Sequence, residues 1–248
     1  MSAPELYHND KSTCSQKVRL VLAENNIAYK DRHIDLSAEE NLSAAYLAIN
    51  PNGVVPALVH DGVTIIESTV ICEYLCEVFP DGAGLMPRTP AGRAYLRAWL
   101  RYIDEVPSMA VRVPTFEVIK AARFAAMSDA EYEAFANRNP LRRDFFERLA
   151  RTGFSERDKA SAEKQLTQTV QRMERALSDV EYLVDGAYSL ADICLFPVFQ
   201  RLDDLGVTWP FERSAATVAW YERIKARPAY AQAFYSGSLF FDPPRVAA

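Results

Sequence analysis

Cysteine and histidine are scarce in this chain. Its 248 residues include four cysteines and three histidines, and Cys14, Cys72, Cys76 and Cys194 form no C-x-x-C pair. Zinc sites and disulfide scaffolds need tighter clustering, so no metal is expected and no secreted framework. Cys72 and Cys76, four apart on an apolar helical stretch, read as small buried hydrophobes. Long apolar runs are missing too: none approaches the ~18–20 residues of a membrane-spanning helix. The opening MSAPELYHND is too polar for a secretory signal. A cytoplasmic protein with no membrane partner is expected. Basic charge is not in excess either. Asp and Glu number 33 against 28 Lys and Arg, a formal net charge of −5, which argues against nucleic acid as a partner. The local cluster Arg138, Arg142, Arg143, Arg148 and Arg151 is interleaved with Asp144, Glu147 and Glu156 and reads as a solvated helix face.

What remains is an ordinary soluble composition, 49% hydrophobic and 25% charged. Along the first 80 residues the pattern reads βαβαββα. ELY starts a strand, VRLVLAENN a helix that stops at Asn25-Asn26, and IAYKDRHIDL a second strand. AEENLSAAYLAIN has helical spacing at Leu42, Ala45, Tyr46 and Ile49 and stops before Pro51. VVPALVHDGVTIIES places Asp61-Gly62 between two apolar runs, a strong hairpin signal, and TVICEYLCEVF follows as a helix. PDGAGLMPRTP, residues 80–90, is the one dense Pro/Gly segment, and beyond it strand signals vanish. The expected architecture is a small α/β domain over 1–80, a linker over 81–90 and an all-helical domain over 91–248.

Three places have chemistry to offer. KSTCSQKVR, residues 11–19, sets Ser12, Thr13, Cys14 and Ser15 in a row before the first helix, four groups able to donate a hydrogen bond or act as nucleophile. Val55-Pro56 heads a hairpin strand, where proline is either a simple turn residue or the second residue of a cis bond. A cis bond would leave the Val55 main chain free to pair with a peptide-like ligand. Glu67-Ser68 opens a helix whose free N–H groups favour an anion; the pair could grip an α-amino acid, carboxylate at Ser68 and ammonium at Glu67, or Ser68 could be a plain cap. Ser189 and Asp192 have capping-box spacing and read as structural.

In this order, STC before the first helix, NPNGVVPAL, ES at the third helix and YSLADIC further on resemble the glutathione transferases of the serine type. The resemblance covers essentially the whole chain. ESTVICEYLCEVFP, MSDAEYEAFANRNP, YLVDGAYSLADIC and the long 113–160 segment are similar to bacterial glutathione-dependent β-aryl etherases and their fungal relatives. It implies a thioredoxin-like N-terminal domain, a helical C-terminal domain and a homodimer. It implies glutathione as cosubstrate, held by Val55, Pro56, Glu67 and Ser68, and a hydrophobic, aromatic electrophile as second substrate. Ser12 stands where serine-type members carry the catalytic serine, with Thr13 in support. Cys14 is the rival, because a thiol at a helix N-terminus can be activated. Many members carry Gln or Lys where Val54 stands, which leaves the anchor for the glycyl carboxylate open between Asn41 and Asn52.

Glutathione's thiol, near a reference pKa of ~8.5, is a few per cent ionised at neutral pH. Lowering it by about two units takes roughly 2.7 kcal/mol. A hydroxyl bond to the anion supplies about 1.5–3 kcal/mol, and a helix N-terminus about 0.3–2 kcal/mol more. One hydroxyl at the head of a helix therefore suffices without a protein nucleophile. For the electrophile, Trp99, Tyr102, Ile103, Val106, Met109 and Arg112 share a broad stripe on the first long helix of the second domain and could wall an aromatic site. The competing readings are a glutathione-dependent cis–trans isomerase, suggested by STCSQKVR, and a non-catalytic binding protein of the same fold.

Overall fold

The computed structural model describes residues 2–241, the side chain of Pro140 aside. Strand β1 (Glu5–His8) runs parallel to β2 (Lys30–His33) on one side and antiparallel to β3 (Ala57–His60) on the other. Strand β4 (Val63–Ile66) returns beside β3 and completes the order β2-β1-β3-β4. The β3–β4 turn is the Asp61-Gly62 pair, both residues at positive φ (47° and 79°), as the tightest two-residue hairpins require. Edge strand β2 reads KDRH and is exposed throughout, so charge blunts the free edge.

Helix α1 (Thr13–Glu24) crosses from β1 to β2; Asn25 ends it and Asn26 follows in the left-handed region at φ 52°. The helix expected across 38–50 is broken in two. Ser43 is extended (φ −68°, ψ 150°) and caps the four-residue α2 (Ala44–Leu47) by accepting the Tyr46 N–H, leaving only a 3-10 turn at Glu40–Leu42 before it. Serine's competition for backbone donors outweighed the apolar spacing. The Val55-Pro56 bond is cis, and α3 (Ser68–Val78) packs back on the sheet. A parallel βαβ half joined to an antiparallel ββα half is the thioredoxin-like arrangement.

The rest is helical: α4 (Pro90–Glu105), α5 (Pro107–Ala110), α6 (Arg112–Ile119) and α7 (Ala121–Ala125). They are followed by α8 (Asp129–Asn137), α9 (Arg143–Leu149), α10 (Glu156–Ala176) and α11 (Leu190–Asp204). Then come α12 (Trp209–Glu212), α13 (Ala215–Lys225) and α14 (Pro228–Ala233). Helix α11 is the axis of this half, buried over nearly all its length. At its head Asp192 accepts the N–H groups of Ser189 and Leu183 (both 3.0 Å) and the Trp220 indole N–H (2.9 Å). Burial pushes the Asp192 carboxyl up to about 6.

Three cations, Lys17 and Arg19 buried and Arg227 part-exposed, weld the two halves along α1. Lys17, fully enclosed, pairs with Asp104 of α4 at 2.9 Å, and Thr69 of α3 donates to the other Asp104 oxygen at 2.6 Å. Arg19 donates to the carbonyls of Asp10 and Ala233 (2.8 and 2.9 Å), and Arg227 grips Glu24 with two bonds of 2.6 and 2.9 Å. A buried ion of this kind is costly to leave unpaired, so the contacts fix α1 against α4 and α14. They also hold the loop that precedes α1.

Candidate active site

That loop is built before any ligand arrives. Asn9 donates to the Ile34 carbonyl (3.0 Å) and accepts the Lys11 N–H (3.1 Å), and its own N–H goes to Ser15 Oγ (3.3 Å). Ser12 is thereby left as the N-cap of α1: its Oγ accepts the Ser15 N–H at 3.3 Å. The hydroxyl proton is not used in that bond and remains available to donate, at the positive end of a twelve-residue helix. Ser15 is buried, and its Oγ accepts the Asn9 N–H and so braces the loop.

Ser12, Thr13 and Cys14 all line one cavity of about 490 Å³ between the two halves of the chain. Gly53, Val54 and Val55 form a second side of it. Val54's carbonyl accepts from Tyr46 Oη and Asn50 Nδ2, both at 2.7 Å. Val55 lies outside the sheet ladder, with its main-chain groups unpartnered among the described residues. Pro56 is behind this wall, not in it. Asn41 reaches the cavity, but its amide donates to the Gly53 carbonyl (2.7 Å) and so holds the wall in place. Asn52 lies away from the cavity, its N–H turned to Asn50 Oδ1.

Glu67 and Ser68 stand beyond the lining residues, at the head of α3. Glu67, not Ser68, occupies the N-cap position, with φ 69° and ψ 117°. A non-glycine residue held there costs on the order of 1–3 kcal/mol and is a mark of a functional clamp. Glu67 is near enough to the lining residue Arg142 to oppose its deprotonation.

The helical wall differs from the one the sequence suggested. Trp99 and Tyr102 do not line the cavity: they turn to α10, where the Arg172 guanidinium sits 4.5 and 4.1 Å from their ring centres and Tyr102 Oη meets Thr169 at 2.9 Å. Ile103 is wholly buried in the core. Val106 closes α4, Met109 is 48% exposed on α5, and neither reaches the cavity. Of that stripe only Arg112 is in the wall. The reason is Pro107, which turns the chain off the α4 axis so that α6 to α9 cover the opening. Their contribution is aromatic: Phe116, Phe124, Phe135 and Phe146 line the cavity. Phe116, Phe124 and Phe135 each lie 4.8–6.1 Å, centre to centre, from Phe146. The density of phenylalanine over 116–146 was the available signal. Arg142, expected on a solvated face, lines the same cavity. Among the described residues no trio of His, Cys, Asp or Glu could hold a metal, and no helix is long and apolar enough to cross a membrane.

Two family models account for most of the chain. One described as "Glutathione S-transferase, N-terminal domain" matches residues 6–83, and one described as "Glutathione S-transferase, C-terminal domain" matches residues 119–228. Protein LigF of Sphingobium sp. (strain NBRC 103272 / SYK-6) is 37% identical over 237 residues, covering 93% of this chain and 92% of its own. The chain belongs to the glutathione S-transferase family. Glutathione is accordingly its cosubstrate. The solved structure of β-etherase LigF from Sphingobium sp. strain SYK-6 superposes with a TM-score of 0.85 at 36% identity, over 94% of this chain and 99% of that one. Glutathione transferase F7 of Populus trichocarpa shares the transferase fold at 24% identity (TM-score 0.74, 93% and 97% covered). A probable maleylacetoacetate isomerase of Caenorhabditis elegans is 44% identical over 95 residues, 38% of this chain and 44% of that one. That last likeness therefore spans less than half of either chain.

Proposed function

We propose that this transferase binds glutathione at Val55 and at the head of α3, ionises its thiol against Ser12, and delivers the thiolate to an aryl ether. The observation that supports this most is the Ser12 hydroxyl: it accepts the Ser15 N–H with one lone pair, and its proton has no acceptor among the described residues and is free to donate into the cavity. The likeness to β-etherase LigF supports the aryl ether, and the phenylalanine-lined wall suits an aryl group. Domains divide near residues 81–90, between α3 and α4. For the glycyl carboxylate, Lys120 and Lys11 lie near each other in the cavity lining and supply the positive charge that Asn41 and Asn52 lack.

A second reading keeps Cys14 as nucleophile, favoured by its place in the cavity between the positive charges of Lys17 and Arg142. Rate against pH separates the two. Ser12→Ala should be slow at neutral pH and recover as base ionises bound glutathione, while Cys14→Ser should keep most of its activity. An inactive Cys14→Ser with a mixed disulfide in the wild type would reverse the assignment.

A cytoplasmic homodimer is part of the proposal. Val70 on α3 (51% exposed) and Tyr95 on α4 (67% exposed) present apolar surface on the two helices the family pairs. Light scattering at micromolar concentration should give twice the chain mass; a monomer would remove this element.

A further inference from the structure

Four arginines line the cavity, and among the described residues two of them have ion-pair partners. Arg123 pairs with Glu39 at 2.8 Å, and Arg201 with Asp204 at 3.5 Å. Arg112 and Arg142 make neither a side-chain hydrogen bond nor an ion pair with any described residue. The two are close enough to repel each other, and Arg142 also interacts electrostatically with Cys14, which lines the cavity, and with Glu67 at the head of α3. Desolvation and that repulsion push the Arg142 guanidinium down to about 10, which leaves it charged at neutral pH.

Their setting repeats itself. Arg112 and Phe116 are four apart at the start of α6, and Arg142 and Phe146 are four apart where α9 begins. The α6 spacing puts a guanidinium and a phenyl ring on one face of the helix, while Arg142 stands at the non-helical N-cap of α9 (φ −118°, ψ 12°), about one turn before Phe146. The two rings meet at 5.9 Å between centres. Two unpaired cations beside paired aromatic rings make a receptor for an aryl group with negative charge at its edge. Glutathione's own charges have other partners in the reading above: the thiolate has Ser12 and α1, the γ-glutamyl end has the head of α3, and the glycyl carboxylate has Lys120 with Lys11 close by.

We propose that Arg112 and Arg142 receive the aryloxide that leaves when the thiolate displaces an aryl ether. This rests on the ether reading above. The sulfur lone pair forms the new C–S bond and the C–O bond breaks with its electrons on the aryl oxygen. Negative charge thus travels from Ser12 toward the arginine pair, and the released aryloxide takes its proton from water. The substrate class that follows is a neutral aryl ether whose leaving phenol can be a poor one, since the pair supplies what the phenol lacks.

The test is a set of β-aryl ethers graded from nitrophenol to methoxyphenol leaving groups, run in single turnover with saturating glutathione. Arg142→Gln and Arg112→Gln should lose about ten- to hundredfold on the methoxyphenol ether and little on the nitrophenol ether. Arg142→Lys should recover part of the loss. Glutathione affinity by calorimetry, and the thiolate absorbance titration of bound glutathione, should match wild type and show each variant folded. An equal loss across the series with a raised thiol titration would assign the charge to the thiolate and overturn the proposal. Weakened glutathione binding would assign it to a glutathione carboxylate and overturn it equally. A wild-type protein that cleaves none of the ethers would overturn the ether reading itself, whereas cleavage unaffected by either arginine would overturn only the role of the pair.

Discussion

Replacing Ser12 by alanine removes two bonds at once, and their sizes differ enough to be told apart. The first is structural: Ser12 Oγ accepts the Ser15 N–H and caps α1. Losing an N-cap serine costs about 0.5–2 kcal/mol of folding stability. The second is the hydroxyl donation to the thiolate, worth about 1.5–3 kcal/mol, or roughly one to two pKa units. From a bound thiol about two units below its ~8.5 reference, that lowers the thiolate fraction at pH 7, and with it turnover, about three- to twenty-five-fold, with recovery above about pH 9. Glycine separates the effects, because it caps within a few tenths of a kcal/mol of serine yet has no hydroxyl. Ser12→Gly should therefore unfold almost like wild type and still show the raised thiol pKa. The assay is the thiolate absorbance of the glutathione complex against pH, beside urea unfolding of the same variants. An unshifted titration in Ser12→Gly would refute the hydroxyl's role, whatever the turnover.

Glu67→Ala should weaken glutathione binding in calorimetry by at least tenfold with helical content unchanged, since the carboxylate caps nothing; equal affinity would remove Glu67 from the binding site. Phe116→Ala should raise KM for an aryl ether, whereas Trp99→Ala should destabilise by about 3–5 kcal/mol and leave KM alone, because Trp99 packs on Arg172 outside the cavity. The opposite pattern in KM would return the electrophile to α4. Asp192 titrates near 6 when folded and near 3.8 unfolded, so the folded state holds the extra proton between those values. This group thus adds roughly 3 kcal/mol as pH falls from 6 to 4, a contribution lost as pH rises through 6. Asp192→Asn should flatten that part of the stability profile relative to wild type, and an unchanged slope would disprove the shift.

Local signals carried the first domain. Asp61-Gly62, the Asn25-Asn26 stop and the proline after Val55 each act within a few residues, and each falls where the sequence pattern put it. The α2 region did not follow its apolar spacing because Ser43 competes for the same donors. In the second domain periodicity located helices but could not say which way a stripe faces. Trp99 and Tyr102 have the same spacing whether they meet a ligand or Arg172. Arg142 is more instructive. Arg143 and Asp144, which follow it, are charged and exposed, and only the turn of α6 to α9 over the cavity brings it opposite Cys14. A long-range packing decision of that kind leaves no trace in local composition.

The proposed chemistry is tested most directly by incubating the protein with glutathione and a β-aryl ether and following both products by mass spectrometry. One S-alkylated glutathione should form for each phenol released, with no release when glutathione is omitted and little from Ser12→Ala at pH 7. Phenol released without glutathione, or glutathione oxidised to its disulfide with no thioether formed, would contradict displacement by a Ser12-held thiolate.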